Sequence, residues 1–174
     1  MGNLGAILAD SASVGIRNAN KLFAGIPAER FGRLAAPGGM PIMSNHPAFA
    51  IGHLCLYPVK VHELLGQGTA GVQPPAGYVQ LFSKDASCQD DVDGTLYPAS
   101  SEIIAFFNSS YQAALNTLRN ASDDQLLAAN PVDTPMKQIC PSLGSLLNFY
   151  MGGHVTLHLG QISAWRRMEG LPAA

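Results

Sequence analysis

A chain of 174 residues can bury one sizeable hydrophobic core and hardly two, so a single domain spanning residues 1–174 is expected. With 47% apolar and only 13% charged residues the chain is not disordered, and a net charge of −2 with no basic cluster beyond Arg166 and Arg167 argues against a nucleic-acid partner. No apolar run approaches the ~20 residues that cross a bilayer, so no membrane partner is expected either.

The N-terminal stretch MGNLGAILADS lacks the basic start and sustained apolar run of a secretory signal, and Ala6 stands where a myristoylation signal needs Ser or Thr. It reads instead as the start of a helix from about Leu4 to Phe23, with Leu4, Ile7, Leu8, Val14 and Leu22 as its apolar stripe. Pro27, Pro37, Gly38, Gly39 and Pro41 then break the chain, and Ser44 and Asn45 are natural N-caps for a new helix. This second helix runs from Pro47 to about Leu65. Phe49, Ala50, His53, Leu54, Tyr57, Val61 and Leu64 share one of its faces, and Pro58 bends it. The connection from Gly66 to Ala99, with Pro74, Pro75 and the acidic run QDDVDG, is long enough for a crossover or a lid.

The third helix starts near Ser100 and carries Ile104, Phe107, Tyr111, Leu115 and Leu118 at steps of three or four. A short piece, SDDQLLAAN, is capped by Ser122, and Pro131 and Pro135 break the chain again. The fourth helix begins near Ser142 and stops at Gly170 and Pro172. Its stripe is Leu143, Leu147, Tyr150, His154, His158, Gln161, Trp165 and Met168. Four amphipathic helices without strands predict an all-α, antiparallel four-helix bundle with one long crossover connection.

His154 and His158 lie one turn apart on that core stripe, about 6 Å along the axis, from where both rings can reach one ion at about 2.0–2.1 Å. The competing reading is two core histidines bonded to backbone carbonyls or water. His53, on the core stripe of the second helix, supplies a third imidazole, and three His without an obvious fourth ligand match an open, catalytic type of metal site. His46, seven residues earlier, is a candidate for the pocket rim; His62 falls off the stripe and reads as solvated. Val155, Thr156 and Leu157 separate the His pair, so the glutamate of HExxH is absent, and no nucleophile stands beside a base. Trp165 and Tyr150 read first as core aromatics and second as stacking partners for a ligand. Together with His46 and Tyr57, Trp165 completes the cofactor-binding candidates. Gly152, Thr156, Gly160 and Ser163 form a small-residue face suited to internal packing. Cys55, Cys88 and Cys140 match neither a zinc ribbon nor a disulfide framework, so reduced thiols and a cytoplasmic location are expected.

Two stretches resemble a known family. NHPAFAIGHL is similar to the start of the second helix of the DinB/YfiT-like superfamily of four-helix-bundle metalloproteins, and its histidine falls on His53. HVTLHLGQISAWRRMEG resembles the family's last helix, with the ligand pair and following Gly-Gln on His154, His158, Gly160 and Gln161, and YPASSEI has the family's flavour. Leu159 departs from the polar or basic residue frequent at that position, which concerns substrate contacts rather than the metal. The resemblance implies a bacterial protein with a divalent ion, nickel or zinc, on His53, His154 and His158. It also implies an activity found in some members: transfer of low-molecular-weight thiols such as bacillithiol or mycothiol, or use of mycothiol in isomerising maleylpyruvate. The expected partners are then a small-molecule thiol, its electrophile and a second copy in a homodimer. Gln161 is the catalytic candidate, as an orienting group or a hydrogen-bond donor behind the metal ligands. The rival expectation is a non-catalytic, stress-related protein that binds metal or a small ligand at the same place.

Overall fold

The structure, a computed structural model, describes residues 3–174. Met1 and Gly2, on which the leader and acylation readings partly rest, lie outside the described residues. Regular structure among the described residues is helical: α1 (Leu4–Phe23), α2 (Pro47–Leu54), α3 (Pro58–Leu64), α4 (Tyr78–Phe82), α5 (Ser100–Arg119), α6 (Asp123–Leu127), α7 (Met136–Ile139), α8 (Leu143–Asn148) and α9 (His154–Met168). An isolated bridge pairs Ala129 with Ser142.

The first helix has the expected ends but buries a different face. Gly5, Ala9, Ala12, Ile16, Ala19 and Phe23 point inward, whereas Ile7 is 60% and Val14 51% exposed. Small residues let α1 lie close against α5; a Cβ on Gly5 would collide with the Leu118 carbonyl. Close approach of two backbones needs a residue without a side chain, and an apolar count along the sequence cannot register it.

Helix α2 is the centre of the molecule. All eight of its residues are buried, and it packs against α4, α5 and α9. The expected bend at Pro58 is a break: the chain turns through Cys55–Tyr57 and restarts as α3 with Pro58 in its first turn. Proline lacks the N–H that a continuing helix would need, yet its fixed φ suits a helix start, so two short helices are made where one bent one was expected. Helix α3 leans on α5, and His62, expected in solvent, is 8% exposed. Its Nδ1 donates to the Gly68 carbonyl (2.7 Å), and its Nε2 accepts from the Thr117 hydroxyl (3.0 Å).

The long connection holds α4, whose Tyr78 and Phe82 are buried in the core. The Phe82 ring lies over Gly52, where a Cβ would come within 2.5 Å of it. The segment is therefore a packed wall at this point. Asp91 folds the following loop by accepting the N–H groups of Thr95, Leu96 and Tyr97.

The fourth predicted helix is not regular either. It consists of α8, one π-helical turn over Phe149–Gly153, and α9. The extra residue in the π turn re-phases α9. Its buried face becomes His154, Val155, Leu159, Ile162, Trp165 and Arg166, and His158 and Gln161 move to the half-buried edge. The small-residue face is correspondingly open: Thr156 and Gly160 are exposed, and nothing lies within 4 Å of a Cβ built at Gly160. No helix among the described residues is long and apolar enough to cross a membrane.

Candidate metal centre

The last turn of α2 and the first turns of α9 bring His53, His154 and His158 together, with one ligand nitrogen from each lying within 4.8 Å of the others. No carboxylate or thiol joins this group among the described residues.

Which nitrogen each ring offers is set by its neighbours. His53 Nδ1 is 2.7 Å from the Phe82 carbonyl, which can only accept, so the proton sits on Nδ1 and Nε2 carries the lone pair. His158 Nδ1 is 2.8 Å from Gln161 Oε1, an acceptor as well, and again Nε2 is left as the lone-pair nitrogen. His158 Nε2 and His154 Nε2 are 3.1 Å apart. Two nitrogens held on one tetrahedral ion at about 2.1 Å would be about 3.4 Å apart, so the pair already stands close to the separation shared ligation requires. The chain alone leaves the arrangement unbalanced. If His154 donates from Nε2 to His158, its own Nδ1 stays buried without a partner. Lone pairs on His53 Nε2 and His158 Nε2, a third imidazole nitrogen beside them and one unpartnered ring nitrogen suit a divalent cation of borderline softness, which would displace the shared proton.

Electrostatics reinforce this. Burial pushes the pKa of all three rings down. That of His154 falls to about 3, lowered further by His158, His53 and Lys60. Neutral imidazoles at pH 7 are the ligating form. Phe149 stacks on the His154 ring at 5.4 Å, Tyr57 meets it edge-on at 4.3 Å, and Tyr150 backs Tyr57 at 5.1 Å, so aromatic rings wall one side of the site. The Tyr57 hydroxyl lies 3.3 Å from His53 Nε2 and donates to it. Beside His53 and Tyr57 opens a cleft of about 340 Å³, lined by Leu56, Val59, Lys60 and Val79. A larger cleft of about 520 Å³ between α1 and α5, beside Asn20 and Asn108, does not include the histidines.

The remaining candidates separate clearly. Tyr57 and Gln161 belong to the centre, the latter as an acceptor that fixes His158. His46 is not on a pocket rim. It is fully buried, caps α2 by accepting the Phe49 N–H at Nδ1 (3.2 Å), and donates from Nε2 to the Gln89 carbonyl (2.9 Å). Both ring nitrogens are thus committed, and the cap expected from Ser44 or Asn45 is supplied one residue later. Trp165 is 1% exposed and donates its indole N–H to the Arg33 carbonyl (2.9 Å), so it is a core residue with no face for a ligand. Two contributors escaped the sequence: the Phe82 carbonyl, which no side-chain pattern reveals, and Asn45, whose Nδ2 donates to Gln161 Oε1 (3.1 Å).

Comparison with family models, with curated proteins and with solved structures finds no match for this chain.

Proposed function

We propose that the chain is a divalent-metal protein of the DinB/YfiT-like kind, a four-helix bundle of α1, α2 with α3, α5, and α8 with α9. In this reading nickel or zinc is held by His53, His154 and His158. Its reaction is the transfer of a low-molecular-weight thiol of the bacillithiol or mycothiol type to an electrophilic carbon. The observation that carries the reading is the convergence of three neutral imidazole nitrogens with no carboxylate among them.

Held by those three histidines, a divalent ion would supply acidification of a bound thiol, which suits a centre without a protein base. The chain's own groups then have defined work. Gln161 holds the His158 proton at Nδ1 and the Phe82 carbonyl holds that of His53, so that neither blocks a ligating nitrogen. Tyr57, Tyr150 and Phe149 exclude water, and the cleft beside His53 accommodates the electrophile. In the transfer the thiol proton passes to solvent, the sulfur–carbon bond forms, and the leaving group departs with its electron pair. A cytoplasmic homodimer belongs to the same reading.

Metal analysis after gentle purification should find about one divalent ion per chain, and the His158→Ala variant should lose it. Cobalt-loaded protein should develop a thiolate-to-metal charge-transfer band when a small thiol is added, and His154→Ala should not. A parent protein that takes up no metal overturns the proposal. If thiols leave the cobalt spectrum unchanged while other small ligands alter it, the transferase reading fails and a non-catalytic metal- or ligand-binding protein replaces it.

A further inference from the structure

Asn45 lies just before the His46 cap of α2, half-buried, and makes a contact that its position in a loop gives no reason to expect. Its Nδ2 donates to Gln161 Oε1 at 3.1 Å, the same oxygen that receives the His158 Nδ1 proton at 2.8 Å. Resting on the metal-centre reading above, we infer that Asn45 is a positioning residue for that centre: it selects the His158 tautomer by fixing which end of the Gln161 amide faces the ring.

A glutamine amide presents an oxygen or an NH2 group of nearly the same shape. With the oxygen toward His158, the ring is protonated at Nδ1 and Nε2 carries a lone pair toward His53 and His154. Turned over, the amide donates to Nδ1, the ring proton moves to Nε2, and that proton occupies the place of a metal. His158 cannot choose between these arrangements, because a neutral imidazole accepts at one nitrogen and donates at the other. Asn45 breaks the symmetry. A second N–H aimed at the same oxygen means that Gln161 alone cannot turn without setting two NH2 groups against each other, which forfeits the Asn45–Gln161 hydrogen bond and opposes two donors at a half-buried site. Gln161 turns only if Asn45 turns with it. The contrast with His53 is direct, since its Nδ1 faces a backbone carbonyl that has no other orientation.

The residue at position 45 therefore acts through hydrogen-bond polarity, which separates the inference from a packing role. Asn45→Asp can only accept at high pH, so it draws the Gln161 NH2 group toward the shared position and forces His158 into the Nε2–H form. Asn45→Ala removes the bias and leaves a mixture. Gln161→Glu can only accept, so in that background residue 45 has nothing left to decide.

The test is long-range ¹H–¹⁵N correlation on the imidazole rings of the metal-free protein at about pH 8, where the rings are neutral. The parent should show His158 protonated at Nδ1, Asn45→Ala a mixture, and Asn45→Asp the reversed form. His53 should keep its Nδ1 proton throughout, which reports an intact fold. In zinc competition against a chelator, Asn45→Ala should weaken binding about tenfold in the parent background and leave it unchanged beside Gln161→Glu. His158 remaining protonated at Nδ1 in Asn45→Asp overturns the inference. So does an equal loss of zinc affinity from Asn45→Ala in both backgrounds, which marks a merely structural loop residue. Because the tautomers are read without metal, the two ideas fail separately. Tautomers that respond in a protein binding no zinc uphold the role of Asn45 and sink the metal centre, whereas zinc binding with unresponsive tautomers does the reverse.

Discussion

Gly52 offers a sharp perturbation, because one methyl group there presses on Phe82, whose carbonyl holds His53, while all three histidines stay in the sequence. A Cβ built on it comes 2.5 Å from Cδ1 and Cε1 of Phe82 and 2.6 Å from Cγ. Carbon atoms rest about 3.5–4.0 Å apart, so the ring would have to retreat by about 1 Å. It has nowhere to go: it is fully buried between Phe49, Tyr78 and Tyr97, with ring centroids 6.2, 5.1 and 5.6 Å away. Overpacking of this kind costs about 1–3 kcal/mol, and the gain of about 1 kcal/mol from replacing glycine in a helix interior offsets part of it. Gly52→Ala should therefore lose up to about 2 kcal/mol, and Tm should drop by up to about 8 °C for a chain of this size. The Phe82 carbonyl moves with its ring and loosens its 2.7 Å bond to His53, so zinc affinity should fall about 10–100-fold. Gly160→Ala is the control. With nothing within 4 Å of its new Cβ, it should gain up to about 1 kcal/mol. Urea denaturation followed by circular dichroism in the presence of a chelator measures both. A Gly52→Ala variant as stable as Gly160→Ala would refute the packing of Phe82 over α2 and its support of His53.

His62→Ala should destabilise the protein by about 1–3 kcal/mol, because the Gly68 carbonyl and the Thr117 hydroxyl both lose a buried partner, while zinc affinity stays at the parent value. Loss of zinc at unchanged stability would place His62 in the centre instead. Stability of the metal-free protein should fall with acidification. His46, His53, His154 and His158 have folded pKa values below the ordinary 6.5, so the unfolded chain binds more protons below that pH. The contribution is present above pH 6.5 and is lost as pH drops toward the folded values, by up to about 1.4 kcal/mol per pH unit for each group; urea midpoints from pH 8 to 5 that stay level would contradict it. Burial pushes the Cys88 thiol up to about 11 and raises that of Cys55 further. A disulfide reagent at neutral pH should accordingly label both far more slowly in the native protein than in urea, and rapid native labelling of Cys88 would show that its thiol is not held this way.

Periodicity made some of this architecture legible. The ends of α1 and the start of α5 follow from apolar spacing, and the three metal-ligand candidates stand out because buried imidazoles on facing stripes need a common partner. The features that stayed hidden did so for physical reasons. The inward face of α1 is made of Gly and Ala, whose value lies in how closely another backbone can approach, so a search for large apolar residues selected Ile7 and Val14 instead. Pro58 announced an interruption but not whether the helix would bend or restart. His46, His62 and Trp165 drew attention as polar or aromatic groups, yet each is satisfied by a partner far away in sequence: Gln89, Thr117 and Arg33. The Phe82 carbonyl is a backbone group, and no side-chain motif encodes it.

The π turn at Phe149–Gly153 works as a phase shifter on a screw. Helix α8 must present Leu143 and Leu147 toward the neighbourhood of α6, whereas α9 must present His154 and Val155 toward α2 and α1. One regular helix would impose a single angular relation between those two demands; inserting a residue advances the downstream half by about 100° and lets each half keep its own. The two glycines of the seam have room: a Cβ at Gly152 would meet Asn148 Oδ1 at 3.7 Å and one at Gly153 would meet Phe149 Cδ2 at 3.5 Å, both ordinary contacts. The quantity that matters in this segment is its length. Substitution at either glycine is sterically permitted. Removal of one residue would instead rotate His154 and His158 together out of reach of His53, dispersing the three-histidine group while every histidine remained in the sequence.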